Sequence, residues 1–153
     1  MKDSIVQITI VGSIGGILLN GIMLLLLQLG IPAPRPWAVA ADSFLQAPLV
    51  NTVAGTVLGL LSTVALSIAT AFLILLVLNY TGDDFAILKG IIVIDAFVFA
   101  TMGLFMPLLN IYPKFQVMPL TNLVAFTVMT VVGAVMAAVL AWLRTATKRK
   151  VPN

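Results

Sequence analysis

One acidic residue, Asp95, lies in the middle of the apolar stretch KGIIVIDAFVF, residues 89–99. An acid in apolar surroundings is costly unless it is hydrogen-bonded or paired, and it is often functional. The chain has no cysteine and no histidine, and none of its five aspartates forms a pair with general acid and base spacing. We therefore predict no metal site, no cofactor and no catalytic residue, and we do not expect an enzyme.

Composition identifies the class of protein, because 61% of the residues are hydrophobic, 8% are charged and the mean hydropathy is +1.19. These values are typical of an integral membrane protein. Four apolar runs are long enough to cross a bilayer as helices, roughly 5–29, 52–80, 85–112 and 120–143. They predict an all-α fold in which residues 1–153 form one membrane domain, a four-transmembrane-helix bundle with an outer loop at 30–51 and a basic tail at 144–153. The first run, about 25 residues, is too long for a signal peptide, so we expect it to stay as an anchor.

The positions of lysine and arginine predict the orientation, since positive residues resist translocation. One side of the predicted membrane domain carries Lys2, Lys89, Arg144, Lys148, Arg149 and Lys150, whereas the other carries only Arg35 and Lys114. Both termini should then be cytoplasmic in a multi-pass protein of the inner membrane. The tail RTATKRKVPN is suited to anionic lipid headgroups, and the positive charge is therefore not taken as a sign of nucleic-acid binding.

The outer loop is the connection with the most structure of its own. Alternating prolines, Pro32, Pro34 and Pro36, are followed by WAVAADSFLQAPL, whose apolar residues recur at helical spacing. This pattern predicts a short helix at the membrane surface. We interpret it as a cap over the helix ends, with a binding lid as the alternative.

Small residues mark the faces along which helices can approach closely in lipid. The second run has one at every fourth position, and each of the others has a shorter row. These residues are Gly12 and Gly16 with Asn20 in the first run, Gly55, Gly59, Thr63, Ser67 and Ala71 in the second, Ala96, Ala100 and Gly103 before Pro107 in the third, and Gly133, Ala137 and Ala141 in the fourth. We expect these rows to pack the bundle internally, and a homodimer is the alternative.

The depth of Asp95 follows from its position about ten residues into the third run, which at 1.5 Å per residue is about 15 Å. No lysine or arginine of the other runs lies at a matching depth. Hydroxyl groups do lie at comparable depth, on Ser13, Ser67, Thr70 and Thr130. We expect Asp95 to be neutral and to form a hydrogen bond with one of them.

Three interpretations of Asp95 are open: a structural hydrogen bond inside the bundle, a contact to a polar residue of a partner, and a pathway for protons or cations. A proton pathway needs several polar groups in series. Besides Asp84, this chain offers only Asn20, Thr101 and Asn110 as steps. We favour the structural hydrogen bond.

Three stretches together resemble the YqhR-type small bacterial membrane proteins: AILKGIIVIDAFVFATMGLFMPLLNIYP in the third run, VGSIGGILLNG in the first, and the proline-bearing outer loop. The resemblance implies a four-span protein of similar length. It implies little about activity, and no functional residue is transferred from it.

These observations favour a non-enzymatic structural or accessory component of a membrane complex, bound to a membrane-protein partner or to copies of itself. The alternative is a small proton-coupled or ion-conducting oligomer centred on Asp95.

The orientation gives the first testable prediction. A C-terminal reporter that is active only outside the cytoplasm should give no signal, because the excess of positive residues holds both termini inside. A strong signal from that fusion would reverse the predicted topology.

Overall fold

The computed structural model describes residues 2–113 and 117–149, with the side chains of residues 2, 3, 47 and 146–149 left out, and within these ranges it is built of helices. Four stretches are long and apolar enough to span a membrane, as predicted. The helices are α1 (Lys2–Gln28), α2 (Pro36–Asp42), α3 (Ala47–Val50), α4 (Val53–Thr81), α5 (Ala86–Val98), a π-helical segment (Phe99–Phe105), α6 (Met106–Leu108) and α7 (Pro119–Arg149). The third span consists of α5, the π-helical segment and α6.

The four spans form a bundle in which α1 packs along α4 and α5 packs along α7. Contacts of α1 with α7 and of α4 with α5 join the two pairs. We call the end that holds the start of α1 and the end of α7 the terminal end, and the opposite end, with α2 and α3, the loop end. The predicted four-helix membrane fold is confirmed.

Glycines permit the closest approaches between the spans. A methyl group at Gly16 of α1 would lie 2.9 Å from the Cα of Val64 on α4, and one at Gly133 of α7 would lie 2.7 Å from the Cβ of Ile94 on α5. Carbon atoms pack at about 3.5–4.0 Å, so these sites hold no larger residue without a shift of the helices. Gly12 and Ala137 take part in the same two seams, against Ile68 and Gly90. The small residues predicted in the first and fourth spans therefore lie at helix contacts.

The row of small residues on α4, from Gly55 to Ala71, packs against two different partners. Its inner part, from Thr63 to Ala71, faces α1 in the membrane region. Its loop-end part does not face a spanning helix: Gly59 lies against the backbone of Trp37 in α2, and Gly55 lies against the carbonyl groups at the end of α3. The residues between the first and second spans thus pack along the side of α4, and Ala38 and Ala41 of α2 are buried.

The third span departs from a regular helix at its loop-end half. Pro107 has no N–H to donate. In a regular α-helix its ring would also clash with the carbonyl group four residues earlier. The chain responds with a π-helical segment, in which the N–H of Met106 donates to the carbonyl oxygen of Thr101, five residues back. The Cα atoms of this segment come within 8 Å only of α5 and α6 among the described helices. The loop-end half of the third span therefore stands away from the bundle.

Two expectations about the third span were wrong. Ala96 and Gly103 are exposed, so these two of the predicted small residues do not pack the bundle, whereas Ala100 is half-buried. The helix ends at Leu108 and not at residue 112, because Asn110 and Tyr112 take left-handed backbone conformations with φ of 53° and 45°.

The helix α7 continues to Arg149, beyond the predicted end at residue 143. Part of the predicted basic tail is therefore helical. Lys114 and residues 150–153 lie outside the described residues.

The contact of α4 with α2 predicts the effect of Gly59→Leu. The new side chain would have to displace the backbone of Trp37, and we expect a loss of about 1–3 kcal/mol in the free energy of unfolding, measured in detergent by circular dichroism. The control is Gly21→Leu on α1, where a Cβ would meet nothing within 4 Å. Both changes gain the same helix propensity, so equal stabilities for the two variants would refute the close contact.

Candidate functional site

Asp95 faces the seam between α5 and α7. The Oγ1 atom of Thr130 on α7 lies 2.6 Å from the carboxylate Oδ1 of Asp95 and donates a hydrogen bond to it. The side chain is half-buried, and its neighbour Ile94 packs on Gly133 one turn along the same seam. In the described part of the chain, Thr130 is the only hydrogen-bond partner of this carboxyl group. The acid thus joins two spans that pack along each other.

The Thr130 hydroxyl group has two contacts and a single proton. Besides Asp95, it lies 3.0 Å from the carbonyl oxygen of Phe126 in its own helix. A hydroxyl group can donate to one of them at a time, but it can also accept. The single proton of this hydroxyl group is therefore shared between the contact to α5 and the contact within α7.

The other three predicted hydroxyl partners lie elsewhere. Ser13 is half-buried on α1, which does not approach α5 among the described helices. Ser67 is 3.9 Å from the sulfur of Met136, and Thr70 donates to the carbonyl oxygen of Leu66 in its own helix. Of the four hydroxyls at comparable depth, the structure brings only Thr130 to Asp95.

A second polar contact joins α1 to α4. The amide nitrogen Nδ2 of buried Asn20 donates to Thr63 Oγ1 at 2.8 Å and to the carbonyl oxygen of Gly16 at 2.8 Å. Thr63 in turn donates to the carbonyl oxygen of Leu60. The Oδ1 atom of Asn20 has no hydrogen-bond partner among the described residues. This contact lies in the glycine seam, where close helix approach lets short side chains meet.

Asp42 is a structural residue that the sequence did not single out. Its Oδ2 atom accepts a hydrogen bond of 2.6 Å from the backbone N–H of Tyr112, which follows the third span. Asp42 ends α2, so this bond ties the connection between the first and second spans to the loop end of the third span. The sequence shows only that an acid ends the helical pattern WAVAAD. It does not indicate the partner, because the donor is a backbone N–H.

Basic residues at the terminal end are paired within the protein. Arg144 forms an ion pair with Asp83, with 2.9 Å between Nε and Oδ1, and donates to Asn79 Oδ1 at 2.7 Å. Lys89 donates to the carbonyl oxygens of Thr81 and Gly82, both at 3.0 Å, and so caps the end of α4. Two of the residues that predict orientation therefore also fasten the α4–α5 turn. The Arg144 and Asp83 side chains are 16% and 19% exposed, so this ion pair is partly shielded from solvent.

The polar groups do not form a series across the bundle. Asp84 is exposed at the terminal end, and Asn110 is exposed at the loop end. Asn20 bonds to α4, and Thr101 donates to the carbonyl oxygens of Phe97 and Val98 in its own span. Within residues 2–113 and 117–149, no chain of hydrogen bonds leads from Asp95 to either end. The polar pairs are suited to holding helices together.

A cavity of about 230 Å³ lies inside the bundle beneath α2. All four spans and the 30–51 connection contribute to its walls, and Asp95 is not among the lining residues. Five of the seven methionines of the chain line it: Met23, Met102, Met106, Met129 and Met136. The cavity and the polar seam are therefore separate features.

The geometry predicts that Thr130→Val is more damaging than the same change at Thr127. Thr127 also donates to a carbonyl oxygen four residues back, but it is exposed and forms no hydrogen bond to a second helix among the described residues. Valine at position 130 leaves the Asp95 carboxyl group without its partner, at an expected cost of about 1–3 kcal/mol in the free energy of unfolding. Asp95→Asn should stay within about 1 kcal/mol of the wild type, because an amide can still bond to Thr130.

A double variant completes this test. Asp95→Leu combined with Thr130→Val should be more stable than Thr130→Val alone, since it removes the unpaired acid. Equal losses for Thr130→Val and Thr127→Val in denaturation would show that the contact contributes nothing.

Comparisons of the chain with protein-family models, curated proteins and solved structures gave no match. The resemblance to YqhR-type proteins therefore stays a prediction. The function is inferred from the contacts within the chain.

Proposed function

We propose that this chain is a non-enzymatic accessory component of a membrane complex, and that it binds its partner through the lipid-facing side of the third span. The observation that carries this proposal is that two small residues of the third span are exposed, whereas the glycines predicted in the first and fourth spans lie at helix contacts. Ala96 and Gly103 face outward, and a Cβ at Gly103 would meet only Phe99 of the same span, at 3.6 Å.

The third span is also the least enclosed of the four. Only 17% of its apolar stretch is buried, against 28% to 33% in the other three. Its π-helical half contributes side chains to the bundle but keeps its backbone apart from the other spans. A partner helix could therefore approach this side without displacing any of the described helices.

Physical chemistry favours a helix as the partner of this surface. Helices in lipid gain little from apolar burial and associate where small residues let backbones come close. A glycine inside a helix costs about 1 kcal/mol relative to alanine. At Gly103 the described bundle offers no close packing that would offset this cost, whereas a partner helix would.

Transport by the single chain has less support. Asp95 points to α7 and is bonded there, and the cavity beside it is lined mainly by apolar side chains. Ion conduction would therefore need a pathway assembled from several copies.

The proposal predicts the behaviour of Gly103→Leu in native membranes. Extraction in mild detergent should yield the wild-type chain in a complex of defined mass with a second protein. Leucine at position 103 should release that protein, because it holds the two backbones apart, while the unfolding temperature of the isolated chain stays unchanged.

The control is Gly21→Leu, an exposed glycine with open space on another span, which should leave the complex intact. Recovery of the wild type as a single chain, or only as a homo-oligomer, would contradict the accessory function. A partner that withstands Gly103→Leu would place its interface elsewhere.

A further inference from the structure

The cavity lies beside the part of the third span whose backbone stands away from the bundle. It reaches from Thr70, Val132 and Met136 in the middle of the spans to Pro34 and Pro36 at the loop end. Met102 and Met106 extend into the gap between the third span and the other helices, because the π-helical backbone stands away from them. The cavity thus results from the same break in the helix that Pro107 imposes.

The walls of the cavity have little to offer a polar ligand. The hydroxyl protons of Thr63, Thr70 and Thr101 are donated to carbonyl oxygens of their own helices. Ser67 makes only a long contact of 3.9 Å to the sulfur of Met136. A buried water needs about two to four polar partners, so apolar contents are favoured over water.

The volume of the cavity sets the size of its contents. A dry apolar cavity of about 150 Å³ holds benzene. By the same proportion, 230 Å³ accommodates a chain of roughly nine carbon atoms. Methionine side chains are flexible and polarisable, and they adapt to apolar groups of variable shape. Five of them in one cavity favour a flexible hydrocarbon over a rigid ligand.

Access to the cavity is blocked at the loop end and open at the side. The helix α2 covers the loop end, and it is fixed there by the packing of Trp37 on Gly59 and by the bond from Tyr112 to Asp42. Leu66 of α4 and Phe105 of the π-helical segment line the cavity although they are 47% and 56% exposed. They mark a lateral opening between α4 and the third span, on the surface that faces lipid in a spanning bundle.

From these observations we infer that the cavity binds the terminal part of an acyl chain of a bilayer phospholipid, which enters sideways between Leu66 and Phe105. The acyl chains of the bilayer lie directly at this opening and match the walls in polarity and the volume in length. The bound chain would fill space next to Met102 and Met106 that protein atoms leave empty. This inference does not depend on the proposed partner protein.

The test uses the whole protein in phosphatidylcholine vesicles that contain a small fraction of phosphatidylcholine with a photoreactive diazirine near the methyl end of one acyl chain. After illumination, mass spectrometry locates the adducts. We expect adducts on Thr70 and Met136, which are buried in the cavity wall, in addition to exposed residues such as Leu25. Absence of adducts on Thr70 and Met136 would overturn the inference.

A matched pair of variants separates the cavity from the general lipid surface. Val132 lines the cavity, whereas the adjacent Val131 is 53% exposed and does not line it. Val132→Phe should fill the cavity and remove the adducts on Thr70 and Met136 while those on Leu25 remain, and Val131→Phe should change neither. Persistence of the buried adducts in a folded Val132→Phe protein would refute the site. Val98→Phe fills the same space from α5 should Val132→Phe not fold.

A second probe tests the direction of insertion. With the diazirine next to the glycerol backbone, Thr70 and Met136 should stay unlabelled, because only the end of the chain reaches them. Equal labelling by the two probes would contradict insertion of the chain end.

Discussion

The structure depends on one constraint of the bilayer: helices surrounded by hydrocarbon gain almost nothing by exchanging lipid contacts for apolar side-chain contacts. They associate where backbones can come close and where short polar groups can then meet. Gly12 and Gly16 bring α1 onto α4, and Asn20 bonds to Thr63 along that seam. Gly133 brings α7 onto α5, and Thr130 bonds to Asp95 along the other. Each polar pair thus depends on a glycine seam that brings its helices together.

The third span shows what happens where this constraint is not met. Pro107 interrupts the α-helical hydrogen bonds because it has no N–H. The residues before it form a π-helical segment, and the backbone of this segment stands away from the bundle. Two consequences follow on opposite sides of the same segment. On the inner side, methionines border the cavity, and on the outer side no other helix of the described residues lies against Gly103. A single proline therefore accounts both for the proposed lipid site and for the surface proposed to bind a partner.

Hydropathy predicted the four spans because twenty apolar residues have few alternatives to a membrane helix. Depth along those spans also placed Thr130 among the four hydroxyls expected near Asp95, although it could not choose between helices. The outward face of Gly103 was not predictable, because the wide π-helical turn shifts the helical phase after Val98. The packing of α2 against Gly59 was not predicted, because the amphipathic pattern of a helix does not reveal which surface its apolar side covers. The bond to Asp42 was missed because its donor is a backbone N–H exposed by the left-handed Tyr112.

We propose that Asp95 is a contact between helices and does not conduct protons across the membrane. Proton flux into sealed vesicles, driven by an imposed pH gradient and followed with a trapped pH-sensitive dye, tests this most directly. We expect vesicles with the wild-type protein, with Asp95→Asn and without protein all to show the same slow leak. Rapid flux with the wild type, abolished by Asp95→Asn in a protein that keeps its helical content and unfolding temperature, would contradict it and identify Asp95 as a proton carrier.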